Sequence, residues 1–192
     1  MKRDKLGLDR IIFFSDAVFA IAITLLSLDL RLPGNASAAH IASDLVDLWP
    51  NYQNYVTSFA VIGLYWISHH HYFRFIRRYD YTFVAVNIGL LMSIVSLPFA
   101  TSVLDRYGDH RSAVAFYAFS MAVTGLLKTL LWHYAAHNYR LIPRHLSSLR
   151  VQRLTRRALI PPLVFLASIP IAAFNSQLAK LSWGAIAALI FF

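Results

Sequence analysis

Ser15 and Asp16 are the first residues whose types could do chemistry, and they sit inside an apolar run, RIIFFSDAVFAIAITLLSLDLRLP, at residues 10–33. Thr24 and Ser27 lie deeper in the same run. A carboxylate in a helix meant for lipid costs about 2.5–3.5 kcal/mol at the bilayer centre. Asp16 therefore needs partners, and two other segments offer them. Trp66 and His70 are four residues apart and share a helix face, and Asn87 lies near the start of a third apolar run. A network of Ser15, Asp16, Trp66, His70 and Asn87 would satisfy every member and tie three helices together, since an orphaned polar group in hydrocarbon costs several kcal/mol. Metal chemistry is the other possibility, at the triplet His69-His70-His71 and the pair His133/His137. Both groups are expected near one membrane surface, where an interfacial role for His69 and His71 and a helix-end role for His133 and His137 account for them. A metal site needs several ligands converging from different segments with outer-shell support.

The elements that must position these residues follow from composition. The chain has 192 residues, no cysteine, 58% hydrophobic and 14% charged residues, and a mean hydropathy of +0.53. A soluble domain carries roughly 25% charged residues, so an all-α integral membrane protein is expected. Without cysteine, disulfides, thiolate metal sites and cysteine nucleophiles are excluded. The basic start MKRDKLGLDR precedes an apolar run too long for a signal-peptide core and without a small-residue cleavage site.

About 20 apolar residues cross a bilayer as a helix. Six such segments are expected, at about residues 10–31, 51–71, 82–102, 112–136, 157–175 and 178–192, within a single six-helix domain covering 1–192. Pro50 suits a helix start. Pro161, Pro162 and Pro170 predict a kinked or shortened fifth crossing. The sixth is short, either a brief crossing or an incomplete one. The basic residues sort thirteen to four between alternate connections, with Lys128 inside the fourth helix as a snorkelling lysine. That bias predicts a cytoplasmic N-terminus in a multi-pass protein of the cell (inner) membrane. It also accounts for the net charge of +9 through lipid headgroups rather than nucleic acid. The stretch RHLSSLRVQRLTRR, residues 144–157, reads as part of a basic connector or as a surface helix.

Projected at about 100° per residue, the first helix shows two faces. Leu25, Leu28 and Thr24 all fall within about 60° of Ile21, whereas Asp16 falls on the far side, about 140° away. The first group is a stripe of branched apolar residues with one hydroxyl. By periodicity alone it reads as ordinary helix packing or as a pore wall.

The pattern R-x-x-x-F-S-D, here Arg10 to Asp16, resembles the bacterial branch of the lysosomal potassium channel family, the transmembrane protein 175 family. The segments AVFAIAITLLSLDLRLP, YWISHHHYFRFIRRYD and VNIGLLMSIVSLPFATSVL resemble the family's first three helices, in order, so that the likeness runs from about residue 8 to about 135. It implies a potassium-preferring cation channel without a TVGYG-type filter, a homotetramer of six-helix chains, and a central pore lined by the first helix. No cofactor is implied beyond the permeant potassium ion. Carried over residue by residue, the pore positions are Ile21, Thr24, Leu25 and Leu28. Arg10, Phe14, Ser15 and Asp16 are bracing positions, with Trp66, His70 and Asn87 as their partners. Potassium would pass near Thr24, and the apolar rings would gate by excluding water. Asp29, at the outer mouth, would pair with an arginine or attract cations. A secondary transporter, a histidine-metal membrane enzyme and a non-transporting assembly factor are the competing readings.

Overall fold

The computed structural model describes residues 2–32 and 40–186; the side chains of residues 2–5 and 29 are outside that description. Asp29 and the basic side chains Lys2, Arg3 and Lys5 thus lie outside the described residues, as do residues 187–192 of the sixth expected crossing. All described regular structure is helical. Helix α1 runs Lys2–Leu25 and closes with a 3-10 turn, Leu26–Asp29. A short α2, Ile41–Asp47, precedes α3, Trp49–Phe73. Then come α4 (Tyr81–Tyr107), α5 (Arg111–Ala136), α6 (Ser148–Phe174) and α7 (Ser176–Trp183).

Local chemistry sets these boundaries. Pro50 occupies the first turn of α3, where its missing N–H costs no hydrogen bond. Asp80 caps α4 by accepting from the Phe83 N–H at 2.9 Å. Ser147 caps α6, its hydroxyl accepting from the Arg150 N–H. This cap starts the helix nine residues before the expected crossing at about residue 157. The basic stretch is neither a loop nor a separate surface helix beyond Ser147; it is the first turns of α6, with Arg150, Arg153, Arg156 and Arg157 all exposed. Asn175, in extended conformation, ends α6 and caps α7 by accepting from the Gln177 and Leu178 N–H groups.

Four of the helices are long and apolar enough to cross a membrane: 6–28, 81–107, 111–139 and 148–174. Helix α3 matches them in length, since 25 residues at 1.5 Å each rise about 37 Å. It is more polar because its first half carries Asn51, Gln53, Asn54, Thr57 and Ser58. Two of those side chains are used within the chain: Asn51 and Asn54 both donate to the Asp105 carboxylate at the end of α4.

The expected shortening of α6 at its prolines does not occur; the helix runs unbroken from Ser148 to Phe174 through Pro161, Pro162 and Pro170. Pro162 cannot donate to the carbonyl of Ala158, four residues earlier, which would orphan a buried acceptor. The Thr129 hydroxyl of α5 supplies the hydrogen bond instead, lying 2.8 Å from the Ala158 oxygen and also 2.8 Å from that of Gly125. One turn away, Gly125 lets the Pro162 ring approach so closely that a Cβ there would lie 2.9 Å from Pro162 Cδ. On the other side, Trp132 Nε1 donates to Thr155 Oγ1 at 3.0 Å. These three rungs, 125/162, 129/158 and 132/155, align α5 and α6 as antiparallel neighbours.

The packing has two parts. Helices α1, α3 and α4 form one group, and α5, α6 and α7 form the other, with α4 packed on α5 between them. Across the remaining gap α3 reaches α5 by side chains. Tyr65 donates to the Met121 carbonyl at 3.2 Å, and Tyr72 stacks on Trp132 with ring centres 4.9 Å apart.

Candidate functional site

The inward face of α1 is set by Leu8, Ser15, Phe19, Ala22 and Leu26, all buried. Their spacings of seven, four, three and four residues keep them on one stripe. Ser15 is thus held at an interhelical seam despite its hydroxyl. Its Oγ donates to the Ile11 carbonyl one turn back, at 2.8 Å, and accepts from Asn87 Nδ2 at 3.0 Å. Asn87 in turn lies 2.9 Å from the Nε2 of His69 through its Oδ1. Because that oxygen can only accept, the histidine carries its proton on Nε2. A second leg joins α1 to α3, where Trp66 Nε1 donates to Asp16 Oδ1 at 2.8 Å. Ser15, Asn87 and His69 are each at most 2% exposed, so every bond in the first leg is made away from competing water, where an unmade one is costly.

The histidine that meets Asn87 is His69, not His70. His69 lies among Phe19, at 5.4 Å between ring centres, and Phe73, stacked at 4.2 Å. His70 is exposed and rests beside the Trp66 ring at 5.7 Å, while His71 packs edge-on to Phe75. The triplet therefore diverges instead of converging on one point. A signal for His69 was available in the sequence. Ser58, Ile62, Tyr65, His69 and Tyr72 recur at four- and three-residue steps and form the buried stripe of α3. The i, i+4 relation to Trp66 pointed to His70, whereas this stripe includes His69.

Among the described residues nothing covers the opposite face of α1. Ile21 and Leu28 are 56% and 55% exposed, Leu25 is 37% exposed, and Thr24 lies exposed among them. Thr24 Oγ1 donates to the Ile21 carbonyl at 2.8 Å. Its hydrogen is thereby used inside the helix, and what it turns outward is an acceptor oxygen. Arg10 and Phe14 are exposed, and neither joins the Ser15–Asn87–His69 chain of hydrogen bonds. Beyond the stripe, past the C-terminal end of α1, Arg31 Nε donates to the Leu28 carbonyl at 2.7 Å.

Behind the site, at the end where α3 gives way to α4, Asp80 collects three donors. Besides capping α4 it accepts from the Tyr134 hydroxyl at 2.8 Å and pairs with Arg140 Nε at 3.3 Å. The Arg140 guanidinium lies over the Tyr134 ring at 4.7 Å. Partial desolvation raises the carboxyl's pKa, but the Phe83 N–H, the Tyr134 hydroxyl and Arg140 together outweigh it and hold it below its ordinary value of 3.8. A carboxyl lowered in the folded state stabilises the fold above its unfolded pKa. That contribution is lost as pH falls through the folded value. Asp80→Ala is expected to cost about 1 kcal/mol at pH 7, since the ion pair is partly exposed and the cap carries most of the effect. Thermal melts of the detergent-solubilised protein should show the gap from wild type narrowing below about pH 4; a gap constant across that range would remove the charge from the explanation.

The comparisons with known proteins bear on the same segments. The family profile "Endosomal/lysosomal potassium channel TMEM175" matches residues 10–98, which hold most of α1, all of α3 and most of α4. A potassium channel of Chamaesiphon minutus is 34% identical over 175 residues, covering 88% of this chain and 86% of that protein. A potassium channel of Streptomyces collinus is 36% identical over 140 residues, covering 70% of this chain and 68% of that one. The crystal structure of a lysosomal potassium-selective channel TMEM175 homologue from Chamaesiphon minutus superposes with a TM-score of 0.81 at 31% identity, covering 96% of both chains. With a buried polar seam and an uncovered α1 face inside the matched segment, and likeness across nearly the whole chain, this protein belongs to the TMEM175 family.

Proposed function

We propose that the protein is a potassium-preferring cation channel, in which four copies of α1 surround a central pore lined by Ile21, Thr24, Leu25 and Leu28. The observation that carries this reading is the two-faced character of α1. Its polar residues Ser15 and Asp16 are fastened to α4 and α3, while the stripe from Ile21 to Leu28 is exposed in the single chain. One helix cannot enclose a path for ions, so the stripe acquires meaning only when copies face one another about an axis. The matched relatives named as potassium channels support the choice of ion.

In such a homotetramer the Ile21, Leu25 and Leu28 side chains form apolar rings that exclude water and close the path by dewetting. The Thr24 oxygens, already committed as acceptors, replace part of a cation's hydration shell. Potassium loses its hydration more readily than sodium, which biases a partly dehydrating ring toward it. Arg10 and Phe14, exposed and outside the Ser15–Asn87–His69 chain of hydrogen bonds among the described residues, brace α1 against a neighbouring copy. Each chain crosses the cell membrane six times, through α1, α3, α4, α5, α6 and a segment beginning with α7. The thirteen basic residues of the alternate connections and adjoining helix ends hold the N-terminus in the cytoplasm.

The test is ion flux from liposomes containing the purified protein, with potassium inside and sodium outside. Flux driven by the potassium gradient and exceeding sodium flux in the reversed arrangement is the expected result. Equal leak of both ions, or uptake that saturates and depends on a proton gradient, would replace the channel reading with a nonselective pore or a coupled transporter.

A further inference from the structure

From His110 to Phe192 the sequence contains nine Lys and Arg residues and no Asp or Glu. Helices α5 and α6 therefore cannot neutralise their own cations. Most of these side chains are at helix ends or on exposed faces, but Lys128 is not. It is 7% exposed, and its ammonium lies 5.1 Å from the centre of the Tyr65 ring of α3. Among the described residues no carboxylate and no hydrogen-bond acceptor holds it. A lysine expected to snorkel outward is instead turned under α3, into the wall of the groove that separates α3 from α5 and α6. An ammonium held in a membrane segment by an aromatic face alone, with no carboxylate or hydrogen-bond acceptor among the described residues, points to an anion it can bind.

The groove has a volume of about 980 Å³. Its walls are largely apolar, from Leu64, Ile67, Leu104, Phe165 and Trp183. Arg157 and His71 line the same end as Lys128. The Thr129–Ala158 hydrogen bond fixes the register of α5 against α6, so Lys128 and Arg157 stand within about 3 Å of one level along the helices. The other end mixes charges, with Asp105 and Asp109 beside Arg106, His110 and Lys180. Arg111, beside Asp109, is 17 residues before Lys128, or about 26 Å along the helix. Asp105 is in addition occupied by Asn51 and Asn54. The groove thus has cations without a carboxylate at the Lys128 end, apolar walls through its middle, and length enough for the acyl chains of one leaflet, which span about 15 Å.

We infer that this groove binds an anionic phospholipid, with its phosphate between Lys128 and Arg157 and its chains along the apolar wall toward Phe165 and Trp183. The head group is anionic overall because two cations meet it at nearly one level with no carboxylate beside them. The site stands apart from the α1 stripe and does not depend on conduction.

Native mass spectrometry of the purified protein tests it, with added phosphatidylglycerol and phosphatidylcholine of identical acyl chains. Wild type should retain phosphatidylglycerol in preference. Arg157→Gln should weaken that preference about fivefold, and Lys128→Met with Arg157→Gln should remove it, as expected for about one such factor per cation. Arg153→Gln, on an exposed side chain off the groove, should leave it unchanged. Arg157→Gln alters only an exposed side chain, so it remains readable where the double variant fails to fold. Headgroup-blind retention by wild type overturns the assignment, as does an Arg153→Gln effect equal to that of Arg157→Gln. Dissociation of the oligomer by the double variant without any headgroup preference gives the groove to a second copy of the chain, and also overturns it.

Discussion

Ile21→Asn is expected to raise potassium flux from proteoliposomes by about tenfold or more, which requires lowering the barrier by only about 1.4 kcal/mol. Ile21 is more than half exposed and lies on the uncovered face of α1. In the proposed tetramer four copies of it present methyl groups to one another around the axis, and a narrow apolar ring empties of water. Four amides in the same place hold water by hydrogen bonds, so the path stays wet. The substitution leaves the inward face of α1 untouched, because Ser15, Phe19, Ala22 and Leu26 are on the other side. Met92→Asn is the control: Met92 is as accessible in the single chain but sits on α4, away from the stripe. If both variants leak equally, the leak comes from a disturbed membrane and the pore is not on α1. Thr24→Val, made alongside, should lower the preference for potassium over sodium without comparable gain in flux. It deletes the acceptor that Thr24 turns outward while keeping the side-chain shape.

The second large effect is at the polar seam. Asn87→Leu should destabilise the protein by about 1–3 kcal/mol, the cost of orphaning a buried donor. The substitution removes the acceptor of the His69 ring N–H and the donor to Ser15. Ser15 retains its bond to the Ile11 carbonyl, so most of the loss falls on His69. The size is tempered because hydrogen bonds in membrane proteins are also partly replaced when the helices separate. The informative measurement is the double variant Asn87→Leu with His69→Phe, followed by thermal unfolding in detergent. Replacing both partners by apolar groups leaves nothing orphaned, and a phenyl ring suits a position stacked on Phe73 and beside Phe19. The double variant should recover most of the stability lost by Asn87→Leu alone. Losses that simply add would show that the two side chains act independently and that the bond between them is not what holds α3 to α4.

Much of this protein is visible in its sequence because lipid imposes a simple rule. Each backbone polar group must be satisfied within its own segment, so spans are long helices and their apolar length can be counted. The 3.6-residue period then separates Ile21, Thr24, Leu25 and Leu28 from Asp16 without any knowledge of neighbours. The need of Ser15 and Asp16 for partners was likewise legible, and so were Trp66 and Asn87 as polar residues able to meet it.

What the sequence left open was which side of each helix faces which neighbour. His69 and His70 differ by about 100° around α3; both types are suitable, and only the packing of α3 on α4 turns His69 toward Asn87. The start of α6 was hidden for a related reason. Arg150, Arg153, Arg156 and Arg157 form an exposed face that suits a surface helix as well as the first turns of a span. The prolines of α6 read as a kink or a shortening because a missing N–H is a local fact, while the Thr129 hydroxyl that takes the freed Ala158 carbonyl comes from 29 positions earlier in the chain. The groove around Lys128 exists only because α3 stands away from α5 and α6. Composition and period determine which segments enter the membrane and how each divides into faces. Tertiary structure decides the pairing of those faces, because a pairing is a relation between distant segments that no single segment encodes.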